Sequence, residues 1–473
     1  MPPQIALALT LVFIAYLFYR ESRKPYKPSW AIWIPCAWLL ILGSRSVTAW
    51  LNLGQAPTQS MNIEDGSPLD RTFFFLLIIA GLIVLSKRNI SWSQVFRNNT
   101  ALTLFVLYCG FSILWSDFPF VAFKRWTKGL GDPIMALIIL TEREPLKALE
   151  RLLNTCMYIL IPLSVVFVKY FPGIGRGYNE WSGEAYYTGV TTDKNLLGYV
   201  LMACGLFLVW RLSARSSAKD KTRKWVDDFG IPIIFLCMMG WLFQITNSKT
   251  SLIGFILATL VFIVLGRQTV RRHVGGYLLT AIFMFVVLEA SLNFTTFLIT
   301  SAGRDTTLTG RTELWDVVLR MDPQPIFGHG FESFWLGDRL KRLQAMYAYK
   351  PTMAHNGYIE LYLNLGMVGL LFATGVILSC YLRMRRVLTS SVAMTETVML
   401  GRLGMAFLAA FLAYNYTEVA FKSMHFLFVI FLLFTIKSPQ PQKQIAQSSP
   451  FVLPEGAQKV SRLASVGNMP SVR

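Results

Sequence analysis

The sequence predicts an all-α protein, a polytopic transmembrane helical bundle of about 11–13 spans, and three observations carry that prediction. Hydrophobic residues make up 54% of the 473 positions and charged residues only 15%, a balance that no ordinary water-soluble globule adopts. The apolar residues come in blocks: Phe73 to Leu85, Leu252 to Leu265 and Tyr277 to Leu288 carry no charge and are bounded by Lys, Arg or turn residues. Lys- and Arg-rich loops alternate with loops that are acidic or nearly neutral.

With their flanks, the blocks approach the roughly 20 residues that cross a hydrocarbon core of about 30 Å, and lipid admits them only as helices because it pairs no backbone N–H or C=O. Candidate spans fall near 4–20, 29–45, 71–87, 99–115, 124–141, 149–170, 194–212, 230–247, 249–266, 274–290, 356–382, 398–417 and 420–437. The segment 124–141 is the least regular, since Lys124, Arg125 and Lys128 occupy its first turns. The opening segment has no basic stretch before it and no small-residue cleavage site before Arg20, so it reads as an anchor rather than a signal peptide.

Basic residues in short loops collect on the cytoplasmic side. Arg20 to Lys27, Lys87 to Arg97, Arg211 to Lys224, Arg267 to Arg272 and Arg383 to Arg386 are therefore expected inside, and the loops 46–70, 171–193 and 291–355 outside. The chain divides into membrane helices over 1–290, an external loop over 291–355, further membrane helices over 356–437 and a Pro-, Gln- and Ser-rich cytoplasmic tail over 438–473, expected to be disordered. The net charge of +19 is mostly this topology signal plus the tail, and no nucleic-acid partner is expected. Cys36, Cys109, Cys156, Cys204, Cys237 and Cys380 all fall inside apolar spans, which implies neither a disulfide framework nor a zinc site.

Polar groups are costly near a membrane, so function is sought in four external clusters. The loop from Gly173 to Asn195 mixes Tyr178, Trp181, Tyr186 and Tyr187 with Arg176, Glu180, Glu184 and Lys194. Aromatic faces beside acids and amides suit a sugar; an interfacial aromatic belt is the other reading. Lys249 lies in the turn Thr246-Asn247-Ser248-Lys249-Thr250, placed either to hold a lipid phosphate or to snorkel. In the long loop, Arg304 precedes Gly310-Arg311-Thr312-Glu313-Leu314-Trp315, and Leu314, Val317, Val318 and Met321 recur at helical spacing. Arg311 in the first turn of such a helix faces the unfavourable end of the dipole, which invites either an anionic ligand or a salt bridge with a nearby acid. Leu336, Leu340, Leu343 and Tyr347 mark a second, interfacial amphipathic helix. The fourth cluster, His355-Asn356-Gly357-Tyr358-Ile359-Glu360, stands directly before a long span. Its histidine suits a base near neutral pH, or equally a structural helix cap.

The run Gly310 to Trp315, then Ile326-Phe327-Gly328-His329-Gly330 and His355 to Glu360, with Thr188 to Asn195 and Asn247 to Ser251 upstream, resembles the O-antigen ligase and polymerase superfamily. Within it the chain looks most like the exopolysaccharide-production, Wzy-type polymerases, over roughly residues 110–435. The resemblance implies a membrane glycosyltransferase of the bacterial inner membrane that acts at the periplasmic face. Its donor would be an undecaprenyl-diphosphate-linked oligosaccharide, its acceptor a second glycan, with chain-length regulator and export proteins as partners. His355 matches a histidine that the ligases use, and Arg311 and Lys249 match their arginines. Lysine at 249 is a departure, because it keeps the charge but loses the two-pronged grip of a guanidinium.

The chemistry follows from the substrate class. A sugar on a lipid diphosphate has an activated anomeric carbon, so the protein must deprotonate the incoming hydroxyl and stabilise the leaving diphosphate. His355 is the candidate base. Lys249 and Arg311, supported by Lys194 and Arg304, are candidates for the anion, and Glu313, Asn356, Glu360, Trp181 and Tyr187 for the sugar. Direct displacement inverts the anomeric centre. No cofactor is expected, and no metal, since Glu313 and Asp316 have no third ligand that the sequence places beside them. Three alternatives stay open beside polymerase: a ligase that transfers glycan to lipid A core or protein, a transporter or lipid flippase, and a structural partner of an envelope complex with no chemistry of its own.

Overall fold

The computed structural model describes residues 1–52, 67–178, 184–216, 230–280, 283–284, 311–347, 349–390 and 395–438. The described residues are helical apart from turns and one small hairpin, Arg176–Tyr178 against Ala185–Tyr187, inside the stretch expected to be a loop. Among the described residues, six helices are long and apolar enough to cross a membrane: Pro3–Ser22, Pro68–Ser86, Pro145–Tyr170, Lys194–Ala214, Gly357–Thr389 and Glu396–Thr417. Trp92–Asn98 and Thr100–Trp115 add a bent pair that turns through 94°, and Trp30–Leu42, Ile231–Thr246, Lys249–Val264 and Phe426–Thr435 are shorter apolar helices.

The polytopic all-α class therefore holds, but several expected spans are not single uninterrupted helices. Residues 124–141 divide into Pro119–Gly129 and Gly131–Leu140, because the first part is amphipathic and basic while the second is apolar. The two meet where Gly131 lies against the Trp38 ring, 2.1 Å from where a Cβ would stand. Of the expected span 274–290, residues 281–282 and 285–290 lie outside the described residues, as do residues 291–310 of the long loop and the tail beyond Ser438.

The outer helices show how lipid acts as the solvent. Pro68–Ser86 buries only a narrow stripe, Phe74, Ile78, Gly81 and Leu85, and leaves Phe75, Leu76, Leu82 and Ile83 exposed. Lys249–Val264 packs through Ser251, Gly254 and Ala258, small residues that let neighbouring helices approach closely. Phe426–Thr435 is buried at every residue and stacks Phe431 on Phe411 with ring centroids 4.6 Å apart.

Residues 311–347 fold onto the bundle where the sequence placed its amphipathic helices. Arg311–Arg320 and Gly337–Met346 bury Leu314, Val318, Leu340 and Leu343 in one cluster with Phe334, Trp335, Ala354 and Leu363. Between them, Pro325–Gly330 wedges into a break in the long helix Gly357–Thr389. The helix kinks at Gly366, whose φ is +63°, and Met367 and His329 donate their backbone N–H groups to the Pro325 carbonyl at 2.8 Å and the Leu363 carbonyl at 3.1 Å. A Cβ on Gly366 would meet the Ile326 carbonyl oxygen at 2.2 Å, so only glycine allows the two backbones to touch.

Candidate functional site

The site is built at the end of the bundle where the long helix starts. Asn356 caps that helix, its side-chain oxygen accepting from the backbone N–H groups of Tyr358 at 2.9 Å and Ile359 at 3.1 Å. Gly357 follows because the Asn415 side chain presses against it: a Cβ there would lie 2.0 Å from Asn415 Oδ1. Asn415 Oδ1 in turn accepts from the N–H groups of Ala420 at 3.0 Å and Phe421 at 2.8 Å, which folds residues 415–421 into a tight turn. The Gly357 N–H donates to the Glu418 carbonyl at 3.0 Å, so the two chain segments are tied together at Glu418.

The Glu418 side chain is the hub. Its Oε1 accepts from Arg311 Nη2 at 2.8 Å and from Asn195 Nδ2 at 2.8 Å, and its Oε2 faces His355 Nδ1 at 3.3 Å. Arg311 also donates to the Thr417 carbonyl. Side-chain exposure grades from 8% at Glu418 through 14% at Arg311 to 28% at His355, so the imidazole is the accessible member of the group. Burial pushes the Glu418 carboxyl up, and the His355 hydrogen bond and Arg311 charge outweigh it, holding the group below the ordinary carboxylate range. His355 adopts a left-handed backbone, φ +49°, in a segment clamped by Trp315 Nε1, which donates to the Ala354 carbonyl at 2.7 Å.

Lys249 joins through its neighbours. Asn247, at φ +48°, turns the chain between Ile231–Thr246 and Lys249–Val264, and half-buried Lys249 is the first residue of the second helix. Ser248 donates to Asn195 Oδ1 at 3.3 Å, and Thr250 shares a hydrogen bond with Thr417 at 2.9 Å. Both residues beside Lys249 are thus bonded to groups that touch Glu418 or adjoin it. Lys194 precedes Asn195 at the start of its helix.

The other expected site residues are placed differently. Glu360 is buried and taken up by Trp335 Nε1 at 3.0 Å and the Ala354 N–H at 2.9 Å, while Asn356 is occupied as a cap. Glu313 is exposed in the first turn of its helix, and Tyr187 lies under the Arg176 guanidinium at 5.7 Å. Trp181 and Arg304 lie outside the described residues. His329, the other histidine of the loop before the long helix, is buried beside the Asp322 carbonyl, 2.8 Å from Nε2, and serves the wedge.

Sequence reasoning missed Glu418. The signal was an acid at the junction of two late apolar spans, where an ionisable group is kept only with a partner and a role.

Residues 233–374 match the family model of the O-antigen ligases. The chain is also 22% identical over 321 residues to the exopolysaccharide production protein ExoQ of Rhizobium meliloti (strain 1021), covering 65% of this chain and 70% of that protein. Both matches support the O-antigen ligase and Wzy-type family that the motifs resemble, and with it a membrane polysaccharide polymerase or ligase.

Proposed function

We propose that the protein polymerises lipid-diphosphate-linked oligosaccharide repeats into exopolysaccharide or O-antigen at the periplasmic face of the inner membrane. The observation that carries this reading is the convergence of Arg311, His355 and the Lys249 turn on Glu418. The Glu418 carboxylate holds His355 through Nδ1, so Nε2 is directed to the acceptor hydroxyl and the carboxylate stabilises the imidazolium that forms. The hydroxyl gives its proton to Nε2, and its oxygen forms the new bond to the anomeric carbon. The bond from that carbon to the diphosphate breaks, and the diphosphate leaves with the electron pair. Attack opposite the leaving group inverts the anomeric centre.

Arg311 spends two N–H groups on Glu418 and Thr417, and its fork has five. The remainder, with Lys249 in the first turn of a helix whose dipole favours anions, offsets the charge developing on the diphosphate; Lys194 and Arg304 support them. Fixed cations supply the charge a metal would otherwise bring. Membrane lipid, a chain-length regulator and export proteins complete the expected surroundings.

A ligase reading is favoured by the description of the matching family model, and the two differ only in the acceptor. Gel analysis of glycans from a strain lacking this chain, complemented with wild type or His355→Ala, tests both. Loss of long chains with single repeats retained supports a polymerase, and lipid-linked polymer left unattached supports a ligase. Normal high-molecular-weight glycan from His355→Ala cells overturns the assignment of the base.

A further inference from the structure

A second charged feature lies at the far end of the same long helix. A hollow of about 1240 Å³ opens there between residues 88–102, 140–145, 379–387 and 435–438. It is remote from Glu418: Gly357 bonds to Glu418 at the first turn of the helix, whereas Arg383 and Arg386 line the hollow near its last turn, up to roughly 40 Å away at 1.5 Å per residue.

Arg88, Arg143, Arg383, Arg386 and Lys437 face this hollow against one carboxylate, Glu142. Two of the cations are already engaged. Arg88 pairs with Glu142 and donates to the Ile138 carbonyl at 2.6 Å, and Arg383 donates to the Ile436 carbonyl. Arg143, Arg386 and Lys437 are exposed, and none of their side chains makes a hydrogen bond or ion pair among the described residues. The wall is nonetheless constructed. Asn99 Nδ2 donates to the Lys437 carbonyl at 3.0 Å while its Oδ1 accepts from the Lys437 N–H at 2.7 Å, which fixes the lysine at the rim. Like charges gathered on one cavity repel, and an anion supplied from outside relieves that repulsion.

The position of the hollow indicates the source of the anion. One wall is the helix Trp92–Asn98, which meets Thr100–Trp115 at 94° and so lies across the direction of its neighbour. It buries Val95 and exposes Trp92 and Phe96, whose rings stack at 6.2 Å. An amphipathic helix lying crosswise with exposed aromatics is the pattern of a segment at the membrane interface. The hollow therefore opens at the depth of lipid headgroups. Two free guanidinium forks and a lysine match a phosphodiester there, as basic pockets between membrane helices generally do.

We infer that this hollow binds the phosphate of an anionic membrane lipid, held by Arg143, Arg386 and Lys437. The inference is independent of the sugar-transfer reading.

The test uses the full-length protein in neutral detergent, titrated with phosphatidylglycerol and followed by native mass spectrometry. The expected result is a retained lipid whose affinity falls about 10²-fold in the triple variant Arg143→Gln, Arg386→Gln, Lys437→Gln, with an unchanged thermal midpoint in lipid-free detergent. A control triple, Lys27→Gln, Arg267→Gln, Arg272→Gln, removes exposed cations elsewhere and is expected to bind as the wild type does. Equal loss in the control would mean a general attraction to basic surface, and unchanged affinity in the hollow variant would remove the site; either overturns the inference. Displacement of the lipid by millimolar inorganic phosphate would assign the hollow to free phosphate instead, and binding of phosphatidylcholine as tight as phosphatidylglycerol would rule out an anion site.

Discussion

The two ends of the helix Gly357–Thr389 carry similar residues in opposite arrangements. At the Gly357 end, Arg311 and His355 share one carboxylate that is only 8% exposed, and Asn195 completes its hydrogen bonds. At the Arg386 end, three cations line a wide hollow with no partner among the described residues. A buried charge must be paired and fixed, which gives the rigid geometry that proton transfer needs. An exposed charge can stay unpaired at little cost, and is then available to a ligand that arrives with its own counter-charge. Burial, more than residue type, separates a candidate catalytic group from a candidate docking group.

The comparison is broken most severely at the imidazole. His355→Ala is expected to lower polymer formation by about 10²–10⁴-fold, the range over which a positioned base contributes, while the protein still accumulates in the membrane. Glycan gels with an immunoblot of the membrane fraction check both halves. Arg311→Ala follows, with an expected loss of about 10²–10³ in rate measured on the purified enzyme with lipid-linked substrate, as for removal of one positioned donor to a developing anion.

Glu418→Gln sharpens the contrast through pH. The folded-state carboxyl titrates below its ordinary range, so its contribution to stability is present above the unfolded value of about 4.3 and is lost as pH falls through the lower folded value. The thermal midpoint of the wild type is expected to drop more steeply on acidification below about pH 4.3 than that of Glu418→Gln. Parallel curves for the two proteins would mean that the pairing contributes no proton-linked stability. The smallest effect is expected at the other end, where Arg386→Gln changes polymer yield by no more than about twofold, since exposed, unpartnered substitutions shift energies by roughly half a kcal/mol. A large loss of yield there would erase the division of labour between the two ends.

The membrane class, the helical content and the two amphipathic helices over Arg311–Arg320 and Gly337–Met346 were legible in the sequence, because composition and hydrophobic spacing are local properties of the chain. His355, Arg311 and Lys249 were singled out by the resemblance of their motifs, since by residue type alone each also allowed a structural role. Their meeting point was not. Glu418 lies 63 residues from His355, 107 from Arg311 and 223 from Asn195, and no local pattern announces bonds across such separations. The same holds for the broken segment at Gly131, for the wedge that bends the long helix at Gly366, and for the far hollow, whose walls come from four separate stretches. Hydropathy marked most of the apolar helices. Side-chain packing between helices fixed which of their few charges face one another, and that decision belongs to the tertiary structure because an ion pair depends on distance in space and not on distance along the chain.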